Sequence, residues 1–315
     1  MKIFNDINEI KNIPNAVVTI GTFDGVHLGH QAIFKRMKEL AHSVDGQTVV
    51  VTFYPHPRLV LNIDTSNLRF ICTQEEKLQK FEDFGIDNVL IINFTKEFSR
   101  TPSETFIKDY IIAPIKPAIL VVGYDHHFGK NRMGDFNILS DFAKKYNFKV
   151  ERIEAQDVEH IAVSSTKIRH ALSEGNVKSA NRLLGYTYSV TGEVMRGNKI
   201  GRTIGFPTAN LELPKELRVI NNAGVYACLV DLDGKEYKAM ANIGRRPTIG
   251  DRAEDDFIIE VNIFDFNADI YGKQIRVRFI DRIRSEVKFN GLEELKAQLS
   301  CDRENALEIL KNSLQ

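Results

Sequence analysis

The chain has 315 residues, of which 43% are hydrophobic and 27% are charged. This length exceeds the usual size of one hydrophobic core, so two domains are expected. Because 42 Lys and Arg residues balance 42 Asp and Glu residues, no overall field favours nucleic acid or an anionic membrane as a partner.

The cysteines and the first residues bear on the cellular compartment. Cys72, Cys228 and Cys301 are odd in number and far apart, which excludes a zinc ribbon and argues against a disulfide framework. The segment MKIFNDINEI lacks the basic end and apolar run of a secretory signal, and no apolar run reaches bilayer-spanning length. We therefore expect a soluble, cytoplasmic protein.

Short β-branched runs alternate with helical patterns in the first half of the chain. Their continuous apolar character is typical of parallel strands covered on both faces, and the alternation predicts right-handed crossovers. The predicted strands are 16–20, 48–53, 88–92, 118–123 and 148–153. Ligands of such sheets bind beyond the carboxyl ends of the strands, which is where the segment GTFDGVHLGH (21–30) lies.

Local capping patterns mark the helices of this half. Thr73 with Glu76 predicts a capping box, and Gly85 predicts the end of the same helix. Thr101 predicts a further N-cap, followed by Pro102 at the first helical position, where proline is tolerated.

The second half reads as strands without intervening helices. Asp233-Gly234 between two strand patterns predicts a two-residue hairpin. Two amphipathic stretches, 291–300 and 303–314, end the chain. The sequence thus predicts a Rossmann-like α/β domain with a parallel sheet over 1–185. An antiparallel β-barrel with terminal helices is predicted over 186–315.

The segment GTFDGVHLGH allows three interpretations: a metal site, a phosphate site or a glycine turn with incidental histidines. His27 and His30 could ligate zinc, but no third ligand follows at a recognisable spacing. Glycine-rich backbone between a strand and a helix offers N–H groups to phosphate, and histidine donors there stabilise developing negative charge. The segment is neither a P-loop nor a GxGxxG fingerprint.

Several segments together resemble one known family. GTFDGVHLGH resembles the HxGH motif of the nucleotidylyltransferase superfamily in its flavin-adenylating form. GRTIGFPTANL (201–211) resembles the riboflavin kinase motif that carries PTAN. Six further segments agree in order: 52–57, 123–134, 163–169, 224–227, 242–250 and 259–272. The chain is similar to the bifunctional riboflavin kinase/FAD synthetases of bacteria over nearly its whole length.

The resemblance implies an adenylyltransferase site in the first half. His27 and His30 are the implied catalytic donors to the α- and β-phosphates of ATP, and Ser165, Thr166 and Arg169 hold the outer phosphates. The implied ATP ligands are Gly21, Phe23, Asp24, Gly25, His27, Gly29, His30, Ser164, Ser165, Thr166 and Arg169. The implied flavin contacts are Phe53, His56, Asp125 and Phe128. His126 and His127 depart from the family pattern, and 164–166 also fits a plain helix cap.

The resemblance implies a kinase site in the second half. Thr208 and Asn210 share one face of an extended chain, and their neutral oxygens suit Mg²⁺. The implied ATP ligands are Gly201, Arg202, Gly205, Pro207, Thr208 and Asn210. Glu260 is the implied general base, although a Glu in a strand is more often an outward surface residue. Asn262 departs from the histidine of some relatives.

The implied reactions are the phosphorylation of riboflavin to FMN by ATP and the adenylylation of FMN to FAD by a second ATP, with release of pyrophosphate. Mg²⁺ is the implied cofactor, and riboflavin, FMN and ATP are the implied partners. Two alternatives stay open: a single-activity adenylyltransferase for another phosphorylated vitamin, and a non-catalytic flavin-responsive regulator. ATP turnover with riboflavin alone would separate them.

Overall fold

The structure, a computed structural model, describes two compact units, Met1–Ser165 and Thr166–Gln315. The described residues are 1–11, 13–61, 69–124, 128–130, 134–154, 157–158, 161–196, 200–213, 222–245 and 257–313. Within these ranges no helix has both the length and the apolar character needed to cross a membrane. The predicted division after residue 185 stays a prediction about the catalytic domains.

The first unit is built on strands β1 (Lys2–Phe4), β2 (Val17–Ile20), β3 (Thr48–Tyr54), β4 (Asn88–Asn93), β5 (Ile119–Gly123) and β6 (Lys149–Ile153). They form a six-stranded sheet in the order β1-β4-β3-β2-β5-β6, and every neighbouring pair is parallel. A small antiparallel pair consists of β7 (Asp157–Val158) and β8 (Ile161–Ala162). The predicted parallel sheet is confirmed.

Helices accompany this sheet along the chain. They are α1 (Leu28–Ser43), α2 (Pro57–Val60), α3 (Gln74–Asp83), α4 (Ser103–Thr105), α5 (Ala113–Ile115) and α6 (Phe136–Tyr146). A 3₁₀ turn covers Phe98–Arg100, and a π-helical segment covers Phe106–Ile112.

Neighbouring residues of the central strands belong to two different hydrophobic cores. Val49 and Val51 pack in one core with the π-helical segment and α6. Val50 lies in the other core, with residues of α1 and α3. Since successive side chains of a strand point to opposite faces, only an unbroken apolar run satisfies both cores. This explains why the strands could be predicted from the sequence.

The sheet order creates a switch point between β2 and β5. After β2 the chain continues to β3 on one side, whereas after β5 it continues to β6 on the other side. The loops that leave the carboxyl ends of these two neighbouring strands therefore diverge and leave a crevice, the usual ligand site of an open α/β sheet. Residues 21–27 form one of these loops.

The helix ends test the capping predictions. The Thr73 Oγ1 atom accepts from the Glu76 amide at 3.2 Å, and the Thr73 amide donates to Glu76 Oε2 at 3.0 Å, so the capping box is confirmed. The predicted cap at Thr101 is wrong by one residue. Pro102 is itself the N-cap of α4, and its carbonyl accepts from the Phe106 amide at 2.9 Å. The Thr101 carbonyl instead accepts from the Lys130 amide at 3.0 Å.

The second unit begins within α7 and contains a closed antiparallel barrel. Its helices are α7 (Ser165–Ser173), α8 (Val177–Leu184), α9 (Ile200–Thr203) and α10 (Leu292–Ser313). Its strands are β9 (Ser189–Met195), β10 (Ala209–Glu212), β11 (Gly224–Leu232), β12 (Lys235–Arg245), β13 (Phe257–Ile263) and β14 (Gln274–Ser285). The barrel order is β10-β13-β12-β11-β14-β9. The predicted barrel is confirmed, as is its hairpin, where Asp233 and Gly234 have φ of +50° and +74°.

The two predicted C-terminal stretches form one continuous helix, α10, and not two. Asp302 lies between them and is fully buried. Its carboxylate receives Arg284 of β14, with Nη2 to Oδ2 at 2.7 Å and Nε to Oδ1 at 2.9 Å. Because this partner lies on a distant strand, the local sequence pattern contains no sign that Asp302 belongs to the core.

Candidate functional site

The loop after β2 has a strained backbone. Gly25 has φ of +78°, and a Cβ atom there would lie 2.8 Å from the Ile71 side chain, so only glycine fits. Phe23 and Val26 have φ of +51° and +39°, values that non-glycine residues rarely adopt. The side-chain amide of Gln31 donates to the Val26 carbonyl at 2.8 Å and helps to hold this conformation. Strain of this kind persists only where surrounding contacts fix it, as at binding sites.

Asp24 anchors the same loop from inside. Its carboxylate is buried and accepts the backbone amides of Ile71 at 3.0 Å and Cys72 at 3.4 Å. Its carbonyl accepts the Ser165 hydroxyl at 3.0 Å, which brings the start of α7 beside the loop. The structure thus assigns the Asp24 side chain to holding the loop, and its predicted contact with ATP stays a prediction.

His27 and His30 lie together at the start of α1. Their rings stack with centroids 3.6 Å apart and an angle of 19° between the planes. The ring of Phe23 meets His30 edge-on at 5.1 Å. The Nδ1 atom of His30 is buried and makes no hydrogen bond among the described residues. In the part of the chain that the structure describes, no group of three or more His, Cys, Asp or Glu side chains could hold a metal ion.

Burial controls the charge of His30. It lowers the pKa of this imidazole well below the ordinary value, and the positive charges of His27 and Lys77 lower it further. His30 is therefore neutral near pH 7, with one ring nitrogen as a donor and the other as an acceptor. A neutral donor at a helix N-terminus suits a phosphate oxygen.

The remaining predicted ATP ligands lie on two segments, one at the loop after β2 and one at the start of α7. Gly21 extends β2 by donating to the Val51 carbonyl at 3.0 Å, and Gly29 lies in the first turn of α1. Ser164 is half-buried and precedes α7, Ser165 is its first residue, and Thr166 is exposed. Arg169 is half-buried on the same helix.

Aromatic side chains gather near the predicted flavin contacts. Phe53, at the end of β3, and Phe128 both pack against Phe106, with ring centroids 6.2 Å apart in each case. His56 stands apart from this cluster as the N-cap of α2, where its Nδ1 accepts the Arg58 amide at 3.2 Å. Asp125, like His126 and His127, lies outside the described residues.

The barrel carries a polar row across three strands. Glu260 of β13 pairs directly with Asn210 of β10 and with Asn242 of β12. Directly paired residues share one side of a sheet, and the row continues to Val225, which packs against α10. The row therefore lies on the outer face of the barrel. Asn242 was missed by the sequence analysis because its motif gave it no role.

Glu260 is half-buried on this face, and burial raises the pKa of its carboxyl. It is thus neither an ordinary surface Glu nor a fully buried one. Asn262, two residues along the same strand, is buried, and its amide donates to the Pro207 carbonyl at 2.7 Å. This bond holds the segment that leads into Asn210.

The segment that precedes β10 folds tightly. The start of the GRTIGFPTANL motif forms part of the helical turn α9, which contains Gly201 and Arg202; Gly205 follows with φ of +87°. The Phe206 amide donates to the Gly201 carbonyl at 2.8 Å. A Cβ on Gly201 would lie 2.2 Å from the Phe206 carbonyl oxygen and 3.6 Å from Thr208 Oγ1. Glycine is therefore required at 201, and Thr208 lies against this turn.

The donors present fit a magnesium ion. Thr208 and Asn210 are half-buried residues with neutral oxygens, and Asn210 stands directly beside the Glu260 position. Mg²⁺ prefers oxygen ligands, keeps several waters and shares phosphate oxygens of its substrate. A site with only two protein ligands, placed beside a carboxylate, matches that preference.

Family comparisons cover both halves of the chain. The model of a family described as FAD synthetase matches residues 9–167, and that of a family described as riboflavin kinase matches residues 184–310. Similar proteins include the bifunctional riboflavin kinase/FMN adenylyltransferase of Listeria monocytogenes, 38% identical and covering 92% of this chain and 91% of the relative. The enzyme of the same name from Escherichia coli K12 is 34% identical and covers 98% and 97%.

A solved structure shares the whole architecture. The crystal structure of a macrolide-efflux protein from Streptococcus pneumoniae has a TM-score of 0.87 and 33% identity, and the match covers 96% of this chain and 97% of that one. Its name describes a different activity from that of the sequence relatives. The comparison contributes the fold, which agrees with the parallel sheet and closed barrel described above.

Proposed function

The chain belongs to the family of bifunctional riboflavin kinase/FMN adenylyltransferases, and on that premise we propose that it converts riboflavin to FMN and FMN to FAD. Each step consumes one ATP, and the second releases pyrophosphate. The observation that carries the proposal is that each unit holds its own polar cluster suited to one reaction. The pair His27 and His30 lies at the switch point of the sheet, and Glu260 lies between Asn210 and Asn242 on the barrel.

In the kinase reaction we assign the base to Glu260. Its carboxylate accepts the proton of the riboflavin 5′-hydroxyl as that oxygen attacks the γ-phosphorus of ATP, and ADP leaves. A carboxyl whose pKa is raised by burial is a stronger base than an exposed one, which suits general-base catalysis near neutral pH. Asn210 and Asn242 on either side keep the carboxylate aimed outward from the barrel.

The turn before β10 supplies the nucleotide contacts of the kinase. Thr208 and Asn210 would hold Mg²⁺, which when bound neutralises charge on the ATP phosphates. We assign Gly201, Arg202, Gly205 and Pro207 to the cover over these phosphates. Asn262 fixes the Pro207 carbonyl and so keeps the cover in register with Glu260.

In the adenylyl transfer the nucleophile is the phosphate of FMN, which is already anionic at neutral pH. It attacks the α-phosphorus of ATP, the bond to the β-phosphate breaks, and pyrophosphate leaves. We assign His27 and His30 as hydrogen-bond donors to the α- and β-phosphates. The outer phosphates are assigned to Ser165, Thr166 and Arg169, and Ser164 is assigned as a further ATP contact. Catalysis here consists of positioning and charge stabilisation, with no covalent intermediate.

The other assignments of this unit are supported by position. Gly21, Gly25 and Gly29 allow the backbone to approach ATP, Phe23 covers His30, and Asp24 holds the loop. Phe53 and Phe128 line one aromatic cluster, which suits the flat isoalloxazine ring of a flavin. We also propose His56 and Asp125 as flavin contacts. Because both reactions draw on ATP, we place the enzyme in the cytoplasm.

The decisive experiment incubates the full chain with riboflavin, ATP and Mg²⁺ and separates riboflavin, FMN and FAD by chromatography. His30→Ala should lower FAD formation about 10²–10³-fold, the usual loss of one such donor, and leave FMN formation intact. Glu260→Gln should lower FMN formation about 10²–10⁴-fold and leave FAD synthesis from supplied FMN intact. No ATP turnover with riboflavin alone would favour a single-activity adenylyltransferase for another phosphorylated vitamin, and flavin binding without ATP consumption would identify a regulator.

A further inference from the structure

Lys77 is a buried lysine at the edge of the adenylyltransferase site. It lies on α3, only 6% of its surface is exposed, and it follows the capping box of that helix. Its ammonium donates to the Thr22 carbonyl at 3.2 Å and to Thr52 Oγ1 at 3.3 Å. Burying a cation is costly unless its hydrogen bonds are satisfied, so its position calls for an explanation.

These bonds join three segments of the chain. Thr22 belongs to the strained loop after β2, Thr52 belongs to β3, and Lys77 belongs to α3. The same loop and the segment before α3 are also tied together by Asp24, whose carboxylate accepts the amides of Ile71 and Cys72. The loop is thus held at two points, one on each side of Phe23: by α3 through Lys77 and by the segment before α3 through Asp24.

Lys77 also acts on His30 electrostatically. The titratable groups that act on His30 are His27, which stacks on it, and Lys77; both make a second positive charge at His30 unfavourable and lower its pKa. The same positive charge would attract a phosphate bound by these rings. The ammonium therefore favours a neutral His30 and an anionic ligand together.

We propose that Lys77 is a positioning residue for adenylyl transfer, which fixes the Thr22 carbonyl and supplies buried positive charge near the two histidines that receive the ATP phosphates. This inference rests on the proposed function of the same site. It adds a residue that lies outside the GTFDGVHLGH segment and acts through Thr22 and His30, not by touching the substrate.

The test compares three variants of the full chain. Lys77→Met keeps the length of the side chain but removes its charge, Lys77→Arg keeps the charge, and Lys80→Met makes the same substitution on the same helix. We expect Lys77→Met to lower kcat for FAD synthesis from FMN about 10²-fold, as a misplaced active-site group does. FMN formation from riboflavin by the same sample should be unchanged, which shows that the barrel unit is intact; a wild-type far-UV circular dichroism spectrum and urea unfolding curve show that the first unit is folded. Lys80→Met should retain both activities.

A second measurement separates positioning from mere support of the fold. The ring signals of His30, followed by NMR against pH without any substrate, should give a higher pKa in Lys77→Met than in the wild type, because one of two positive neighbours is gone. In Lys77→Arg the low pKa should persist. This variant also keeps the test decisive if Lys77→Met does not fold.

Two outcomes would overturn the inference. One is FAD synthesis at the wild-type rate in folded Lys77→Met. The other is an unchanged pKa of His30 in Lys77→Met, or a raised one in Lys77→Arg. A wild-type chain that makes no FAD would instead refute the proposed function, and the titration of His30 would still report on Lys77.

Discussion

Replacing Asp302 by Ala should destabilise the barrel unit strongly, because it removes one partner of a buried ion pair. Asp302 of α10 is fully buried, and the Arg284 side chain retains 19% exposure. The contact is bidentate, with three N–O distances of 2.9, 3.1 and 2.7 Å. Gln298 adds a further hydrogen bond to Oδ1 at 2.9 Å. The loss would leave the Arg284 guanidinium on β14 beside α10 without its carboxylate partner.

The expected magnitude is about 3 kcal/mol. Breaking a buried pair by removing one partner costs roughly 3–5 kcal/mol, since the remaining charge stays desolvated. The lower end applies here because Arg284 is partly exposed and water can reach it after the change. With a urea dependence of about 2 kcal/mol per M, the unfolding midpoint should fall by roughly 1.5 M.

The assay is urea unfolding of the full chain followed by far-UV circular dichroism, with kinase activity to identify the transition of the barrel unit. Asp265→Asn is the control, since Asp265 pairs with Arg303 of the same helix at 2.7 Å but is 85% exposed, and asparagine tolerates its φ of +53°. Exposed pairs contribute little, so the midpoint should barely move. The double variant Arg284→Met/Asp302→Leu should recover most of the loss. Equal losses for the two Asp variants would refute the argument from burial.

Four further expectations follow from the same structure. Glu260→Gln should raise the stability of the barrel unit at neutral pH, because burial makes the ionised carboxylate unfavourable in the folded chain and so raises its pKa. This gain should disappear below the ordinary pKa of 4.5, where the carboxyl of the wild type is protonated in both the folded and the unfolded chain. Below the ordinary histidine pKa of 6.5, the wild-type chain should lose stability as pH falls, because His30 binds a proton in the unfolded chain but not in the folded one. In His30→Ala this loss should be smaller, and the slopes of the unfolding free energy against pH, measured by urea unfolding, should differ by up to about 1.4 kcal/mol per pH unit. Asn262→Ala should raise KM for ATP in the kinase assay and leave FAD synthesis from FMN unchanged, because only Pro207 loses its donor. A fragment 186–315 should melt at a lower temperature than 166–315, because it lacks α8 with its buried residues Val177, Ala180, Leu183 and Leu184; equal melting temperatures would favour the boundary at 185.

Features fixed by neighbouring residues could be predicted from the sequence. The capping box of Thr73 and Glu76 and the hairpin at Asp233 involve chemistry within four residues, and the central strands are apolar on both faces. Features fixed by distant partners could not. The helix start at Pro102 departs from the local pattern, and the Thr101 carbonyl is bonded to Lys130, a partner outside that pattern. Asp302 became a helical core residue because Arg284 lies opposite on β14.

The candidate sites divide in the same way. The motif residues His27, His30 and Glu260 were identified because their spacing resembles a family pattern. The residues that position them were not. Lys77 reaches Thr22 through the fold, and Asn242 meets Glu260 only when β12 pairs with β13. A single sequence contains no local pattern for such contacts, since they depend on which elements become neighbours.

One physical cause adjusts both proposed reactions. Burial is the largest cause of the lowered pKa of His30, and burial raises the pKa of Glu260. Because burial disfavours whichever form is charged, it turns a histidine into a neutral donor and a carboxylate into a stronger base. Neighbouring charges would need opposite signs at the two sites to lower the pKa of His30 and raise that of Glu260. The fold therefore prepares each group by excluding water, and substrates that complete this exclusion should strengthen both effects.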